Sequence, residues 1–318
     1  MHIVKNYIPD LAGACNIVHT PDTGLIRREH LTAMQTTLLD QFGFLAIRGK
    51  DAISFLQGYT TCDLESVTDS RAVLGAVCNI QGRMVTNFRV CKIDDGLLLR
   101  LDRQLVEKTM SFLTKYIVFS KAEMSDMSEN YVCYGLIGDV DGSNGQAIND
   151  VSTLNSNLLI RVSETSPRYE AWVEANTDVP VYLPGDLTSD QSEWQRAEIN
   201  DGLAWTNSDS SEEYIPQMFN LHELGGIDFE KGCYLGQEII ARLEYRGQLK
   251  RKLHRGLMKT SIEVGSSLLS DTDKDLGAVV NVANLSDGYS ILAVLKNGSD
   301  DALKVHAEAG NSAELKPI

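Results

Sequence analysis

The stretch RAVLGAVCNIQGRMVTNFRVCKIDDGLLLRLD, residues 71 to 102, limits the fold more than any other part of the chain. Three apolar runs follow one another with only NIQGR and DDG between them, turn-forming clusters too short to hold a crossover helix. Strands joined this way pair antiparallel, because a parallel pair needs a dozen or more connecting residues. The chain therefore reads as α+β without a βαβ rhythm.

Helical patterns flank these hairpins. REHLTAMQTTLLDQFG reads as a helix, followed by an apolar strand FGFLAIRG that ends at Gly49. DAISFLQGY reads as a short helix opened by Asp51 and stopped by Gly58. In DRQLVEKTMSFLTKYI, Asp102 can cap a helix whose Val106, Met110, Leu113 and Ile117 share one face. GSNGQAINDVSTLNSN is a polar loop or lobe boundary, LLIRVSETSPRYEAWVEA resumes a strand pattern, and SEWQRAEINDG is a helix that ends at Gly202, before the acidic loop TNSDSSEEY. From about Arg251 the pattern changes to short alternating strands, KLHRGLMK, GAVVNVANL, YSILAVLK and ALKVHAEA, the pattern of a small β-barrel or sandwich. The expected division is an α+β region of two lobes over residues 1–250 and a β-barrel over 251–318.

Charge narrows the function. A net charge of −15 over 318 residues argues against non-specific binding to nucleic acid, whose affinity comes mainly from lysines and arginines displacing counterions. Between Arg242 and Lys259 the balance reverses: Arg242, Arg246, Lys250, Arg251, Lys252, Arg255 and Lys259 face the single acid Glu244. That run is either a site for an anionic ligand or a solvated strand and loop. The six cysteines form no C-x-x-C pair, so neither a zinc site nor a disulfide framework is expected, and free thiols imply a reducing compartment. No targeting segment and no apolar run of about 18 residues is evident, which reads as a cytoplasmic protein without a membrane span.

Residues 230 to 239, EKGCYLGQEI, carry the strongest chemical signal. Gly232 and Gly236 permit backbone conformations that a side chain forbids, and QEIIARLEYR has the composition of a helix. Cys233 is therefore expected on a tight approach to a helix N-terminus, with the helix dipole and Lys231 favouring thiolate over thiol. The competing reading is a small buried residue beneath Tyr234.

These residues also carry a resemblance. EKGCYLGQEIIARLEYRGQLKR resembles the K-G-C-Y-x-G-Q-E signature of the YgfZ family, folate-binding proteins related to the T-protein (aminomethyltransferase) of the glycine cleavage system. FLAIRGKDAISFLQGYTTCDL, GAVCNIQGRMVTNFRV, YIVFSK and YIPQMFNLHELGGIDFEKGCY resemble further family blocks in the same order, covering most of residues 40 to 255. The resemblance implies a T-protein-like folate-binding fold of several lobes with a C-terminal β-barrel. It also implies tetrahydrofolate or a derivative as ligand, and a role in iron–sulfur protein maintenance and hence in tRNA modification. Iron–sulfur proteins or their assembly factors would then be transient partners.

For the folate, the resemblance points to Phe42, where the family commonly has tryptophan, and to Trp194 near the pterin. Glu198 and Arg196 lie close to Trp194 in sequence and are candidate polar contacts, a salt bridge on the helix being the alternative. Arg246, Lys250 and Arg251 are candidates for the carboxylate tail. Cys233 is the expected functional thiol, as nucleophile, cluster ligand or redox thiol. T-proteins carry two aspartates after the glycines of the middle block, where this chain has Thr86 and Asn87. An amide cannot replace a carboxylate, so aminomethyltransferase activity is not expected. The alternative to a maturation factor is a one-carbon transferase with another acceptor.

Overall fold

The computed structural model describes residues 34–140, 145–154, 157–175, 183, 187–296, 303–307 and 312–318, which belong to one compact unit. In chain order it begins with β1 (Gln35–Leu38), β2 (Phe42–Arg48), α1 (Ala52–Gln57), β3 (Val73–Cys78), β4 (Met84–Ile93) and β5 (Gly96–Asp102). A helix α2 (Val106–Ile117) follows, then β6 (Glu123–Asp126), β7 (Tyr131–Ile137), β8 (Val151–Leu154), β9 (Asn157–Arg161) and β10 (Arg168–Glu174). Next come β11 (Leu187–Thr188), α3 (Ser192–Asn200) and α4 (Gln237–Arg246). The last strands are β12 (Arg251–Met258), β13 (Ser267–Leu269), β14 (Asp275–Leu285), β15 (Gly288–Lys296), β16 (Leu303–Ala307) and β17 (Ser312–Pro317).

The hairpins of residues 71–102 form as their spacing predicts, in a five-stranded sheet of order β3-β4-β5-β2-β6. Period-two alternation between two cores explains why β2, β3, β4 and β5 are buried on both faces. On β2, Phe44 and Ala46 enter a central core while Leu45 and Ile47 enter an outer core covered by α1 and α2. Val106 and Leu113 of α2 are buried in that outer core with Met110 and Ile117 packed against it, the face predicted from their spacing. Asp102 caps a short 3₁₀ turn ahead of α2, accepting the Gln104 amide at 2.9 Å. Asp51 spends its carboxylate elsewhere, on the Lys121 amide at 2.8 Å.

A six-stranded sheet, β11-β1-β7-β10-β9-β8, lies on the other side of the central core. Two expectations change here. Residues 28–33 of the first expected helix lie outside the described residues, and Gln35–Leu38 form β1, where Thr36 and Thr37 pair with Leu136 and Gly135 of β7. Sheet pairing of β-branched residues overrides the helical pattern. The polar stretch after Val140 contains β8, held by β9 and by a bond from the Val151 amide to the Ser70 carbonyl at 2.8 Å.

The C-terminal strands close into a barrel, β12-β15-β14-β13-β16-β17, which includes β13 and β17 in addition to the four predicted segments. Leu268, Ile291, Leu295, Val305 and Leu315 fill it. Val280, Ala283, Leu292 and Val294 instead join the central core, and α3 lies against β14 and β15, so barrel and sheets share one interior. Among the described residues no helix is long and apolar enough to cross a membrane.

Candidate functional site

Strand alternation that buries apolar side chains also buries charged ones. On β5, LLLRL sends Leu98 and Arg100 inward; on β4, Asn87, Arg89 and Cys91 share the inward face; on β10, Arg168, Glu170 and Trp172 do. The result is a charged layer in the central core. Arg100 forks onto Glu170 through Nε at 3.1 Å and through Nη2, Trp172 Nε1 donates to Glu170 at 2.9 Å, and Arg89 Nε lies 3.6 Å from the same carboxylate. Arg100 is also stacked between the rings of Phe42 and Trp205, 3.9 Å from each centroid. Burial pushes the Glu170 carboxyl up, but Arg100 and Arg89 outweigh it and hold the group below the ordinary carboxylate range. Sequence reasoning missed this layer. The available signal was a charged residue inside a strand apolar on both faces, as in LLLRL.

The layer backs a cavity of about 500 Å³. Its floor is buried and mostly apolar, with Leu74, Val162 and Leu203 beside Arg89 and Ser163; its rim is exposed, with Arg71, Glu164, Asn200 and Glu223. Arg89 donates through Nη1 to the side chain of Asn149, which also lines the cavity. Asp201, just past the end of α3, accepts from Arg168 and from the Thr165 hydroxyl at 2.9 Å. Asn87 stands nearby with both ends of its amide in use: Nδ2 donates to the Ala204 carbonyl at 2.8 Å and Oδ1 accepts the Thr206 amide at 2.7 Å.

Phe42 and Trp194 are buried in the central core and do not line this cavity. Phe42 is 3% exposed, edge-on to Trp205 at 5.5 Å. Trp194 is fully buried on Gly135, where an added Cβ would come within 2.4 Å of the indole, and Arg168 lies 4.9 Å above its ring. Glu198 accepts from Trp205 Nε1 at 2.9 Å; burial raises its carboxyl, offset only in part by Arg168 and that bond. Arg196 pairs with Glu193 on the helix surface at 2.8 Å. Lys250 is exposed, Arg251 is half-buried on the barrel strand β12, and the Arg246 side chain lies outside the described residues. The cavity is thus walled by residues other than the predicted folate contacts.

Cys233 is exposed and is not among the residues lining the cavity. Its loop is built by hydrogen bonds to the segment after α1. Lys231 Nζ donates to the carbonyls of Gln57, Thr60 and Cys62 at 2.9, 2.9 and 2.6 Å, and the Leu235 amide donates to the Gly58 carbonyl at 3.0 Å. Lys231 therefore anchors the loop with its three ammonium protons. Gly236 caps α4 at φ +84°, and a Cβ there would come within 2.5 Å of the Asn79 carbonyl, so only glycine suits the position. Gly232 differs from expectation: an added Cβ would meet nothing within 4 Å. Because α4 begins at Gln237, Cys233 precedes the helix cap by three residues.

Lys231→Met keeps the aliphatic stem and removes all three donors. We expect a loss of about 1.5–3 kcal/mol in urea unfolding, the usual range for charged hydrogen bonds. A loss under about 0.5 kcal/mol would mean that water replaces the ammonium and the anchor is dispensable.

Comparison with known proteins agrees with this architecture. No family model matches the chain. It is 34% identical over 283 residues to the tRNA-modifying protein YgfZ of Colwellia psychrerythraea, covering 82% of this chain and 85% of the relative. It is 30% identical over 299 residues to the tRNA-modifying protein YgfZ of Klebsiella pneumoniae, covering 88% and 91%. The crystal structure of glycine cleavage system aminomethyltransferase T from Bartonella henselae superposes with a TM-score of 0.70 over 89% of this chain and 84% of that one, at 14% identity. The fold, an α+β assembly with a closed C-terminal barrel, is T-protein-like. By identity and coverage together, the chain belongs to the YgfZ family.

Proposed function

We propose that this chain binds a reduced folate in the cavity floored by Arg89 and acts in the maturation or repair of iron–sulfur proteins, and through them in tRNA modification. The observation that carries the binding step is the cavity itself. Its volume of about 500 Å³ falls in the range of small-molecule sites, and it combines an apolar floor with a few placed polar groups. Arg89 is buried in the cavity wall with Nη1 on Asn149 and Nε toward Glu170, which leaves Nη2, without a hydrogen bond among the described residues, as the donor for a ligand acceptor. When bound, tetrahydrofolate supplies a ring system whose nitrogens carry one-carbon units. The chain's own residues exclude water with Leu74, Val162 and Leu203 and hold polar groups at the ring's edges with Arg89 and Asp201. The names of the YgfZ relatives support the tRNA part of the reading.

Asn87 argues against glycine-cleavage chemistry. It carries no carboxylate, and its amide is committed to the backbone at Ala204 and Thr206. A maturation factor with a bound folate is the better reading than an aminomethyltransferase.

Tetrahydrofolate at one hundred times its Kd should stabilise the native state by about 2.7 kcal/mol, raising the thermal midpoint by ~3 °C or more. The buried Trp172, Trp194 and Trp205, in the central core, should report binding by fluorescence. Complementation of a bacterial strain lacking its YgfZ should restore iron–sulfur-dependent tRNA modification. Absence of any midpoint or emission change at millimolar tetrahydrofolate would refute the ligand; failure to complement with normal binding would refute the pathway.

A further inference from the structure

Arg89 is held from two sides before any ligand arrives. Asn149 takes its Nη1, and Glu170, 3.6 Å from its Nε, compensates the charge from behind, so Nη2 is the guanidinium nitrogen left without a hydrogen bond among the described residues. Asn149 is itself fixed in a left-handed conformation, φ +69°, which few side chains adopt. Its carbonyl accepts the Ala72 amide and its amide donates to the Arg161 carbonyl, both at 2.8 Å. A strained backbone over-determined by its neighbours, with its side chain on a buried cation in a cavity wall, is a pre-organising arrangement.

Resting on the folate reading above, the geometry points to Arg89 as the specificity-determining residue of the cavity, set by Asn149 to donate to a neutral acceptor on the ligand's ring in preference to a carboxylate. The charge arrangement gives the preference. A carboxylate brought to the floor would share the cavity with Asp201 and have Glu170 behind Arg89, in a site where burial strengthens repulsion. A ring carbonyl or ring nitrogen meets neither penalty, and the apolar floor of Leu74, Val162 and Leu203 suits a flat heterocycle. At the rim, where Glu164 and Glu223 are solvated and their repulsion is screened, Arg71 is exposed, makes no ion pair among the described residues and can take the carboxylate.

The test separates ring from tail. Calorimetry is run on the full chain with tetrahydrofolate, with 6-methyltetrahydropterin, which has no tail, and with p-aminobenzoylglutamate, which has no pterin. Arg89→Lys keeps a charge but loses the fork, and should weaken 6-methyltetrahydropterin about 10- to 100-fold while leaving p-aminobenzoylglutamate within about twofold. Asn149→Gly accepts the left-handed backbone and removes only the side chain, so it folds even if Arg89→Lys does not; it should weaken the pterin about 3- to 10-fold. Arg71→Gln should show the reverse selectivity. Equal losses for both fragments, or a larger loss for p-aminobenzoylglutamate with Arg89→Lys or Asn149→Gly, would overturn the assignment while tetrahydrofolate binding to the wild-type chain upheld the folate reading. Wild-type protein that binds none of the three compounds would overturn both.

Discussion

Glu170→Gln is expected to cost about 3–5 kcal/mol of folding free energy, the penalty for removing one partner of a buried ion pair. Against a total stability of ~5–15 kcal/mol, that is enough to leave the variant marginal at 37 °C. Arg100 is fully buried and depends on Glu170 for its forked ion pair, and Arg89 depends on the same carboxylate. Glutamine retains an acceptor for Trp172 but leaves two guanidinium groups without a counter-charge. The double variant Arg100→Met with Glu170→Gln should recover part of the loss, since one of the stranded cations is gone while Arg89 stays. Urea denaturation of the two singles and the double measures this. A cost for Glu170→Gln under about 1 kcal/mol would show that water reaches the layer and that the pair is not dry.

The same carboxylate sets an acid limit. Its folded pKa lies below the ordinary 4.5, so between those values the unfolded chain binds more protons than the native one. The stabilisation is fully present above the ordinary value and is lost as pH falls through the lowered one. Glu170→Gln should therefore show a shallower stability loss with falling pH than the wild type, from about pH 4.5 downward.

What the chain disclosed before folding, and what it withheld, follows from period and reach. The hairpins of residues 71–102 and the barrel strands were legible because turn residues punctuate short alternating runs, and α2 because its apolar residues recur at helical spacing. The family block around Cys233 was legible as a motif. The cavity was not, because its residues come from segments that are remote in sequence: Leu74, Arg89, Asn149, Val162, Asp201 and Glu223. Trp194 and Glu198 are one helical turn apart and turn together into the core, whereas Asn200 and Asp201, at the end of the same helix, are the residues that reach the cavity wall. A charged residue in a strand ordinarily reads as solvent-facing, and only the pairing of two sheets face to face makes Arg100 and Glu170 partners.

Cys233→Ser is expected to abolish complementation of iron–sulfur-dependent tRNA modification while changing stability by no more than about 0.5 kcal/mol, the usual span for surface substitutions. The prediction rests on contrast with the other thiols. Burial pushes the Cys62 thiol up to about 12 and raises those of Cys78, Cys91 and Cys133, so these four are unreactive packing groups in the native protein. Cys233 is exposed on a loop whose conformation is fixed by the Lys231 anchor and by Gly236. An exposed thiol that buries nothing contributes little to the core, yet it is presented on a rigid support, where a macromolecular partner can reach it. Peptide mapping after brief alkylation should find Cys233 modified ahead of the four buried cysteines. Cys62→Ser should behave in the opposite sense, losing stability because its sulfur fills the space over Gly75, with any loss of complementation tracking unfolding. Full complementation by Cys233→Ser would leave the thiol without a role. A loss matched by a fall in thermal midpoint would return it to packing. Loss of complementation with normal folding and normal tetrahydrofolate affinity is the result that makes Cys233 the group acting on the partner, with a role distinct from that of the cavity proposed for the folate.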